Sequence, residues 1–175
     1  MEFKCANVFD LLTEMKETNS CDYDFIILDP PAFTKSSATV RNAYKGYKEI
    51  NLNMGCPFPR VANKTRGCGL MAEPQKVREI LDKVFNNIEI KFSLKCRLGY
   101  FKDTEIDELI DSFNAYPFSE IIIHPRIGKQ LYTGNADVDR FAEIAPLIKR
   151  PLVYNGDIFS VDDFKRISEK LPSVS

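Results

Sequence analysis

Two polar groups follow apolar segments of the sequence and carry side chains that could do chemistry. Cys56 lies between Gly55 and Pro57, a glycine–proline frame that would turn the chain sharply and end a strand before the thiol. A thiol can donate a proton or act as a nucleophile. Lys95 and Arg97 alternate at the end of another apolar segment, so they would share one face of a strand and suit a phosphate or an electron-rich ring. The structural alternatives are a buried cysteine in a turn and a salt bridge at the rim.

Two further groups follow apolar segments later in the chain. His124 and Arg126 come directly after the first of them. Asn155, Gly156 and Asp157 come after the second, and the glycine would let backbone amides approach a phosphate closely. A lone histidine or a glycine turn can equally be structural. Together, however, the four groups predict a thiol, two cations, an imidazole and a glycine turn at four successive strand ends, which is typical of a cofactor site.

The elements that must position these groups alternate between strand and helix, which favours an α/β fold with parallel strands. The predicted strands are Ile50–Met54, Ile88–Cys96, Glu120–Ile123 and Pro151–Tyr154. The predicted helices are Pro74–Phe85, Thr104–Asn114, Asp137–Ile148 and Val161–Leu171, the last capped by Ser160. In a (β/α) barrel the active site lies on the loops after the carboxyl ends of the strands, where the four groups fall.

Composition limits the function classes. The 175 residues carry a net charge of −1, so the chain as a whole lacks the basic character of many nucleic-acid-binding proteins, although Arg60, Lys64 and Arg66 form a local basic group. The five cysteines have irregular spacing and the chain has one histidine, which disfavours a disulfide framework and a structural metal site. No apolar run reaches the roughly 20 residues of a membrane span, and no signal peptide is recognisable, so we expect a cytoplasmic protein.

Residues 50–171 resemble the FMN-dependent tRNA-dihydrouridine synthases. The similarity, in order and spacing, lies in the segments NLNMGCPFPRVANKTRGCGLM, LKCRLG, HPRIGKQLYTG and NGDI. The resemblance implies a (β/α)8 barrel that binds FMN. NADPH would reduce the flavin, and the flavin would pass hydride to a uracil of tRNA. The resemblance also implies roles for individual residues. These are Cys56 as general acid, Lys95 and His124 as flavin contacts, Asn155, Gly156 and Asp157 as the FMN-phosphate turn, and Asn53, Arg97 and Arg126 as substrate-binding residues.

The first 50 residues resemble a different family, the class I S-adenosylmethionine-dependent rRNA methyltransferases of the cytosine-C5 type. Asp29–Phe33 (DPPAF) and the segments around it carry this resemblance. We therefore predict two parts, a methyltransferase-like Rossmann fragment at residues 1–50 and a synthase-like partial barrel at residues 51–175, and interpret the chain as a fusion of two gene fragments. Where the parts join, at Gly46–Gly55, we expect a strand rather than a helix.

The prediction from sequence is an α/β protein, a partial TIM-type barrel preceded by a Rossmann-like βαβα fragment. Its predicted activity, by resemblance, is flavin-dependent reduction of uridine to dihydrouridine in tRNA. We expect only about half of the cofactor's surroundings to be encoded, because the barrel's first three strands and the phosphate loop expected after the last helix are missing. The alternatives are an RNA methyltransferase fragment and a non-catalytic fusion product. An exposed parallel sheet edge would also favour self-association.

Overall fold

Four parallel strands lie side by side in one sheet, in the same order as in the chain. The computed structural model describes residues 49–172 and 174, which belong to one structural unit of the chain. The strands are β1 (Glu49–Met54), β2 (Lys91–Gly99), β3 (Ile121–Ile127) and β4 (Leu152–Tyr154). This confirms the predicted α/β class with parallel strands. The predicted Rossmann-like fragment falls almost wholly outside the described residues.

Helical segments connect the strands, as parallel pairing requires. The α-helices are α1 (Pro59–Ala62), α2 (Pro74–Phe85), α3 (Asp107–Ala115), α4 (Val138–Ile144) and α5 (Val161–Lys170). Short 3-10 helices cover Gly67–Ala72, Gly128–Gln130 and Ala145–Leu147. Proline begins α2, where its missing N–H removes no helical hydrogen bond, and Ser160 caps α5 through its Oγ, which accepts from the Asp163 N–H. Both features confirm the prediction.

The two faces of the sheet differ in chemistry. One face packs against the helices in a single hydrophobic core, to which the strands contribute the buried side chains of Met54, Leu94, Cys96, Ile121, Ile123 and Tyr154. Because side chains alternate along a strand, the residues between these positions point to the opposite face. That opposite face carries several polar side chains, including Asn51 and Ser93, which are joined by a 2.9 Å hydrogen bond across β1 and β2. The predicted site residues on β1 to β3 belong to it.

Several predicted boundaries were wrong. β2 starts at Lys91 rather than at residue 88, in register with Glu49 at the start of β1, and it continues to Gly99. β3 likewise runs four residues beyond its predicted end, so that the residues predicted to follow these strands are part of them. α3 begins at Asp107, three residues after its predicted start. The helix predicted for residues 137–148 ends as an α-helix at Ile144, because Pro146 cannot donate a helical hydrogen bond and the next turn is 3-10.

The strand predicted within Gly46–Gly55, where the two predicted parts would meet, is confirmed over residues 49–54. Within the described residues, β1 and β4 are the edges of the sheet, and each has one strand neighbour. Self-association through such an edge stays a prediction. No helix in this part of the chain is long and apolar enough to cross a bilayer.

Candidate functional site

The strand register places the predicted site residues in two adjacent rows on the polar face. Asn53 pairs with Lys95, and Lys95 pairs with Ile122 of β3. One step nearer the carboxyl ends, Arg97 pairs with His124. Neighbouring strands lie about 4.8 Å apart, so residues in these rows are close neighbours. The prediction that Lys95 and Arg97 share one face is confirmed, and the register places His124 on that face as well.

Asn155 extends the second row beyond β4. Its N–H donates to the carbonyl of Ile123 at 3.0 Å, so the backbone of Asn155 continues the pairing of β3 with β4 although the strand ends at Tyr154. The Tyr154 side chain packs against Phe141 on the helical face, which by alternation directs Asn155 to the polar face. The Asn155 side chain is exposed. It therefore lies at the open end of the row, beside His124.

Lys95 is the half-buried cation of the first row. Burial lowers the pKa of its ammonium below the ordinary value, and the positive charge of Arg97 acts in the same direction. Within residues 49–172, the Lys95 side chain makes no ion pair. A half-buried ammonium without a carboxylate partner is suited to donate a hydrogen bond to an oxygen or a ring nitrogen of a ligand.

Arg97 and Arg126 are more deeply buried than a substrate-binding role suggests. Arg97 is 2% exposed, and its Nη1 donates to the carbonyls of Ile127 and Leu131 at 3.0 and 2.6 Å. Its guanidinium also lies 5.0 Å from the ring centre of Tyr132, within the range of a cation–π interaction. Arg97 thus holds the loop that follows β3. The role of Arg97 in substrate binding stays a prediction, and the interactions it makes here are with the protein itself.

Arg126 joins three parts of the site. Its Nη1 lies 2.9 Å from Nε2 of His124, and its Nη2 donates to the Gly134 carbonyl at 2.6 Å and to Oδ2 of Asp157 at 2.8 Å. The same carboxylate oxygen accepts from the Ala136 N–H at 2.6 Å. Burial alone would raise the pKa of Asp157, but the hydrogen bonds from Ala136 and Arg126 outweigh it and the pKa lies below its ordinary value. Asp157 is therefore an ionised anchor for Arg126.

His124 is 9% exposed and lies among positive charges. Burial lowers its pKa to about 4, and the charges of Arg97, Arg126 and Lys95 contribute to the shift, whereas Asp157 opposes it. The imidazole is consequently neutral at physiological pH. Gly156 permits the close approach of the β4 loop, since a Cβ there would lie 3.3 Å from Cδ2 of His124. The predicted glycine turn thus packs against the predicted imidazole.

Cys56 lies two residues beyond the end of β1, at the same edge of the sheet, and its side chain is half-buried. Its carbonyl accepts from the Cys68 N–H at 2.9 Å, which fastens the loop after β1 to the 3-10 helix beginning at Gly67. Gly67 has φ 53°, and a Cβ there would lie 2.8 Å from the Cys56 carbonyl oxygen. A glycine is therefore required to hold the backbone of Cys56. The thiol itself makes no hydrogen bond to another described residue.

The structure brings Asn53, Lys95, His124 and Asn155 to one face and Cys56 to the same edge of the sheet. One residue that the sequence analysis did not assign, Tyr132, also lies there: its ring is 63% exposed, 6.4 Å from the imidazole of His124. The available signal was an aromatic residue close to Gly134 in the loop after a chemically marked strand.

A separate groove, of about 490 Å³, lies between the loops after β2 and β3. Leu98, Phe101, Lys102 and Gln130 are among its lining residues, whereas Lys95, His124 and Cys56 are not. Arg126 also lines this groove, and it is the one predicted site residue that the groove shares with the polar face.

Comparison with known proteins shows which sequences this chain resembles. The profile of the family described as dihydrouridine synthase (Dus) matches residues 24–172. The tRNA-dihydrouridine synthase B of Pseudomonas aeruginosa is 31% identical over 136 residues, which cover 77% of this chain and 41% of the relative. The synthase B of Pasteurella multocida is 29% identical and the probable tRNA-dihydrouridine synthase of Helicobacter pylori is 29% identical, over 79% and 87% of this chain and 42% and 48% of those proteins.

The profile match bears on the predicted two-part organisation. It begins at residue 24 and so includes Asp29–Phe33, on which the methyltransferase resemblance rests. None of these relatives supports a methyltransferase fragment or a fusion, and residues 1–48 lie outside the described structure. The chain spans about two fifths to one half of the length of these relatives.

Proposed function

The chain belongs to the dihydrouridine synthase family, and on this basis we propose that it acts in the flavin-dependent reduction of uridine to dihydrouridine in tRNA. The observation that carries the proposal is the strand register, which aligns Lys95 and His124 on one polar face at the carboxyl ends of parallel strands. In a barrel these ends surround the active site. We propose that the four-stranded sheet is part of such a TIM-type barrel.

The residues of the polar face fit an FMN ring, because they offer hydrogen-bond donors to its oxygen and nitrogen atoms. Lys95 and His124 would hold the ring, and the Asn155–Gly156–Asp157 turn would approach the phosphate. Gly156 and Asp157 would do so through their backbone, and Asn155 through its exposed side-chain amide, because its N–H already donates to Ile123. The Asp157 carboxylate binds Arg126, so it would act through the conformation of the turn and not as a phosphate ligand. When bound, FMN would supply the hydride, with NADPH as the source of electrons.

Cys56 would supply the proton that the reduction of a C=C bond also requires. The half-buried thiol stands on a loop at the edge of the sheet, where a uracil flipped out of the RNA would enter. Asn53 is exposed in the first row, beside Lys95, and would bind the base. Arg97 and Arg126 would support substrate binding by fixing the loops that follow β3, consistent with their internal hydrogen bonds.

Flavin binding tests the cofactor assignment directly. The purified chain, incubated with FMN and freed of excess flavin, should retain the visible absorbance of the flavin. Lys95→Ala should weaken retention, because it removes a half-buried donor of the site. Lys83→Ala removes an exposed lysine of α2 and serves as the matched control. Absence of flavin uptake by the unaltered chain would reject flavin-dependent activity for it.

Turnover tests the role of Cys56. With FMN, NADPH and unmodified tRNA, Cys56→Ala should retain flavin but lose about 10²- to 10⁴-fold in the rate of dihydrouridine formation, because the general acid is missing. Cys68→Ala removes a thiol that is buried in the core and should keep the chemistry wherever the variant folds. Equal rates in the Cys56 variant and the unaltered chain would exclude the thiol as the acid.

A further inference from the structure

Arg126 is buried at 6% exposure although it is charged, and its two terminal nitrogens are committed to internal partners. Nη2 is held between the Gly134 carbonyl and the Asp157 carboxylate, which fixes the orientation of the guanidinium plane. Nη1 is thereby directed at Nε2 of His124, 2.9 Å away. The two hydrogen bonds of Nη2 thus determine where Nη1 points.

The chemistry of this interaction determines where the proton of His124 lies. A guanidinium has donors and no acceptor, and it stays protonated in proteins. Nε2 of His124 must therefore accept the hydrogen bond, which leaves it without a proton. A neutral imidazole with an unprotonated Nε2 carries its proton on Nδ1.

The packing of the imidazole fixes which edge is presented. A Cβ on Gly156 would lie 3.3 Å from Cδ2 and 3.6 Å from Nε2 of His124, so the β4 loop covers that edge of the ring. Nδ1 is on the opposite edge, and within residues 49–172 it has no hydrogen-bond acceptor. The ring therefore turns its accepting nitrogen towards Arg126 and its donating nitrogen away from the β4 loop.

We propose that Arg126, anchored by Asp157, is a positioning residue that holds His124 as a neutral imidazole donating from Nδ1 to a ligand on the polar face. This deepens the proposed function and rests on it for the identity of the ligand, which would be a ring carrying carbonyl oxygens or unprotonated nitrogens. Neither Arg126 nor Asp157 would contact that ring through its side chain. Their effect would reach the ligand through the imidazole.

The charged and titratable groups that face His124 come from several elements. β2 contributes Lys95 and Arg97, β3 contributes Arg126, the loop after β3 contributes Tyr132, and the loop after β4 contributes Asp157. Of these, only Asp157 raises the pKa of the imidazole, and the three cations lower it. The arrangement favours the neutral ring.

Nitrogen-15 NMR of the histidine ring tests the proposal without any cofactor, and His124 is the only histidine of the chain, so its signals need no assignment. Two-bond proton–nitrogen correlation spectra at neutral pH should show Nδ1 protonated and Nε2 unprotonated. In Arg126→Met, a protonated Nε2 should appear and the pKa should rise towards the ordinary value of about 6.5. Arg126→Lys, which keeps a cationic donor, should restore part of the Nδ1 form.

Asp157→Asn should shift the pKa of His124 in the opposite direction from Arg126→Met. It removes the only negative charge that faces the ring within residues 49–172. The asparagine keeps the size of the side chain and an oxygen that can accept from Arg126 Nη2, so Arg126 should stay in place and the pKa of His124 should fall and not rise. A protonated Nε2 in the unaltered chain would overturn the proposal, and this result needs no variant to fold. So would an Arg126→Met variant with a native amide spectrum and an unchanged tautomer. A chain that shows the Nδ1 form but takes up no FMN would support the positioning role and reject the proposed function, so the two failures are distinguishable.

Discussion

At the scale of single residues, protonation of His124 opposes folding. The pKa of the ring is about 4 in the folded chain and about 6.5 when unfolded, so the unfolded state binds more protons between these values. Stability should therefore be complete above about pH 6.5 and decrease as the pH falls towards 4. A protonated Nε2 could no longer accept from Arg126. We expect a loss of roughly 1–3 kcal/mol over this window, allowing for the partial exposure of the ring.

Urea unfolding at pH 7 and pH 4.5 measures this loss, with His124→Gln as the control. Glutamine can accept the Arg126 hydrogen bond through its amide oxygen but has no proton to gain. The variant should lose less stability between the two pH values than the unaltered chain. Equal losses would assign the acid sensitivity to other groups.

The three described cysteines should differ in reactivity towards iodoacetamide. Burial raises the pKa of the Cys68 thiol to about 12, and its Sγ donates to the Gly99 carbonyl at 3.1 Å. Burial also raises the pKa of Cys96, which is fully enclosed. Cys56 is half-buried on a loop, so it should be alkylated first near neutral pH. Peptide mass spectrometry after timed labelling gives the order, and faster labelling of Cys68 than of Cys56 would contradict it.

Strand alternation was sufficient to predict that Lys95 and Arg97 share a face, and the periodicity of the units placed His124 at the same edge. The interactions that each side chain makes were not predictable in the same way. Arg126 pairs with Asp157, 31 residues further along the chain, and Arg97 donates to carbonyls 30 and 34 residues away. Spacing in the sequence carries no information on such interactions, because they depend on how the loops after β3 and β4 close over the strands.

At the scale of elements, the amino-terminal end of α5 depends on a reciprocal pair of hydrogen bonds. Ser160 Oγ accepts from the Asp163 N–H at 3.1 Å, and Oδ2 of Asp163 accepts from the Phe159 N–H at 3.2 Å. Ser160→Ala should destabilise the chain by about 1 kcal/mol in urea unfolding, because the first turn loses an acceptor. Ser168→Ala, in the exposed interior of the same helix, should be neutral or slightly stabilising. Equal effects would show that the cap contributes nothing specific.

The success and failure of element prediction follow the strength of local signals. α2 has a proline at its first position and one clear apolar stripe, and its predicted bounds were correct. β2 and β3 extend through residues predicted as loops, since pairing with the neighbouring strand and burial decide where a strand ends. The helical turns at Pro59–Ala62 and Gly67–Ala72 were not predicted, because such short segments depend on tertiary packing more than on periodicity.

At the scale of the whole molecule, the net charge of −1 includes a local excess of cations in the loop after β1, which carries Arg60, Lys64 and Arg66 and one acid, Glu73. The loops after β1, β2 and β3 meet at the carboxyl edge of the sheet: Tyr100 donates through its hydroxyl to Asn63 at 3.4 Å, and its carbonyl accepts from the Lys129 N–H at 2.9 Å. These loops carry a set of exposed cations, which we call the basic edge: Arg60, Lys64, Arg66, Lys102 and Lys129. Lys102 is balanced by Asp103 and Glu105 in its own loop, so the counter-charges for a phosphate backbone would come mainly from Arg60, Lys64 and Arg66.

If the chain binds tRNA as proposed, the binding should depend on salt through the basic edge. Replacing Arg60, Lys64 and Arg66 together by alanine should weaken binding and lower the slope of log affinity against log salt by about one for each phosphate that is no longer neutralised. Fluorescence anisotropy with labelled tRNA at several salt concentrations measures the slope. Lys83→Ala, near the end of α2 at the amino edge of the sheet, should leave it unchanged. If the triple variant and the control have the same slope, the RNA backbone does not bind at the loop after β1. The RNA must then reach Cys56 from another side.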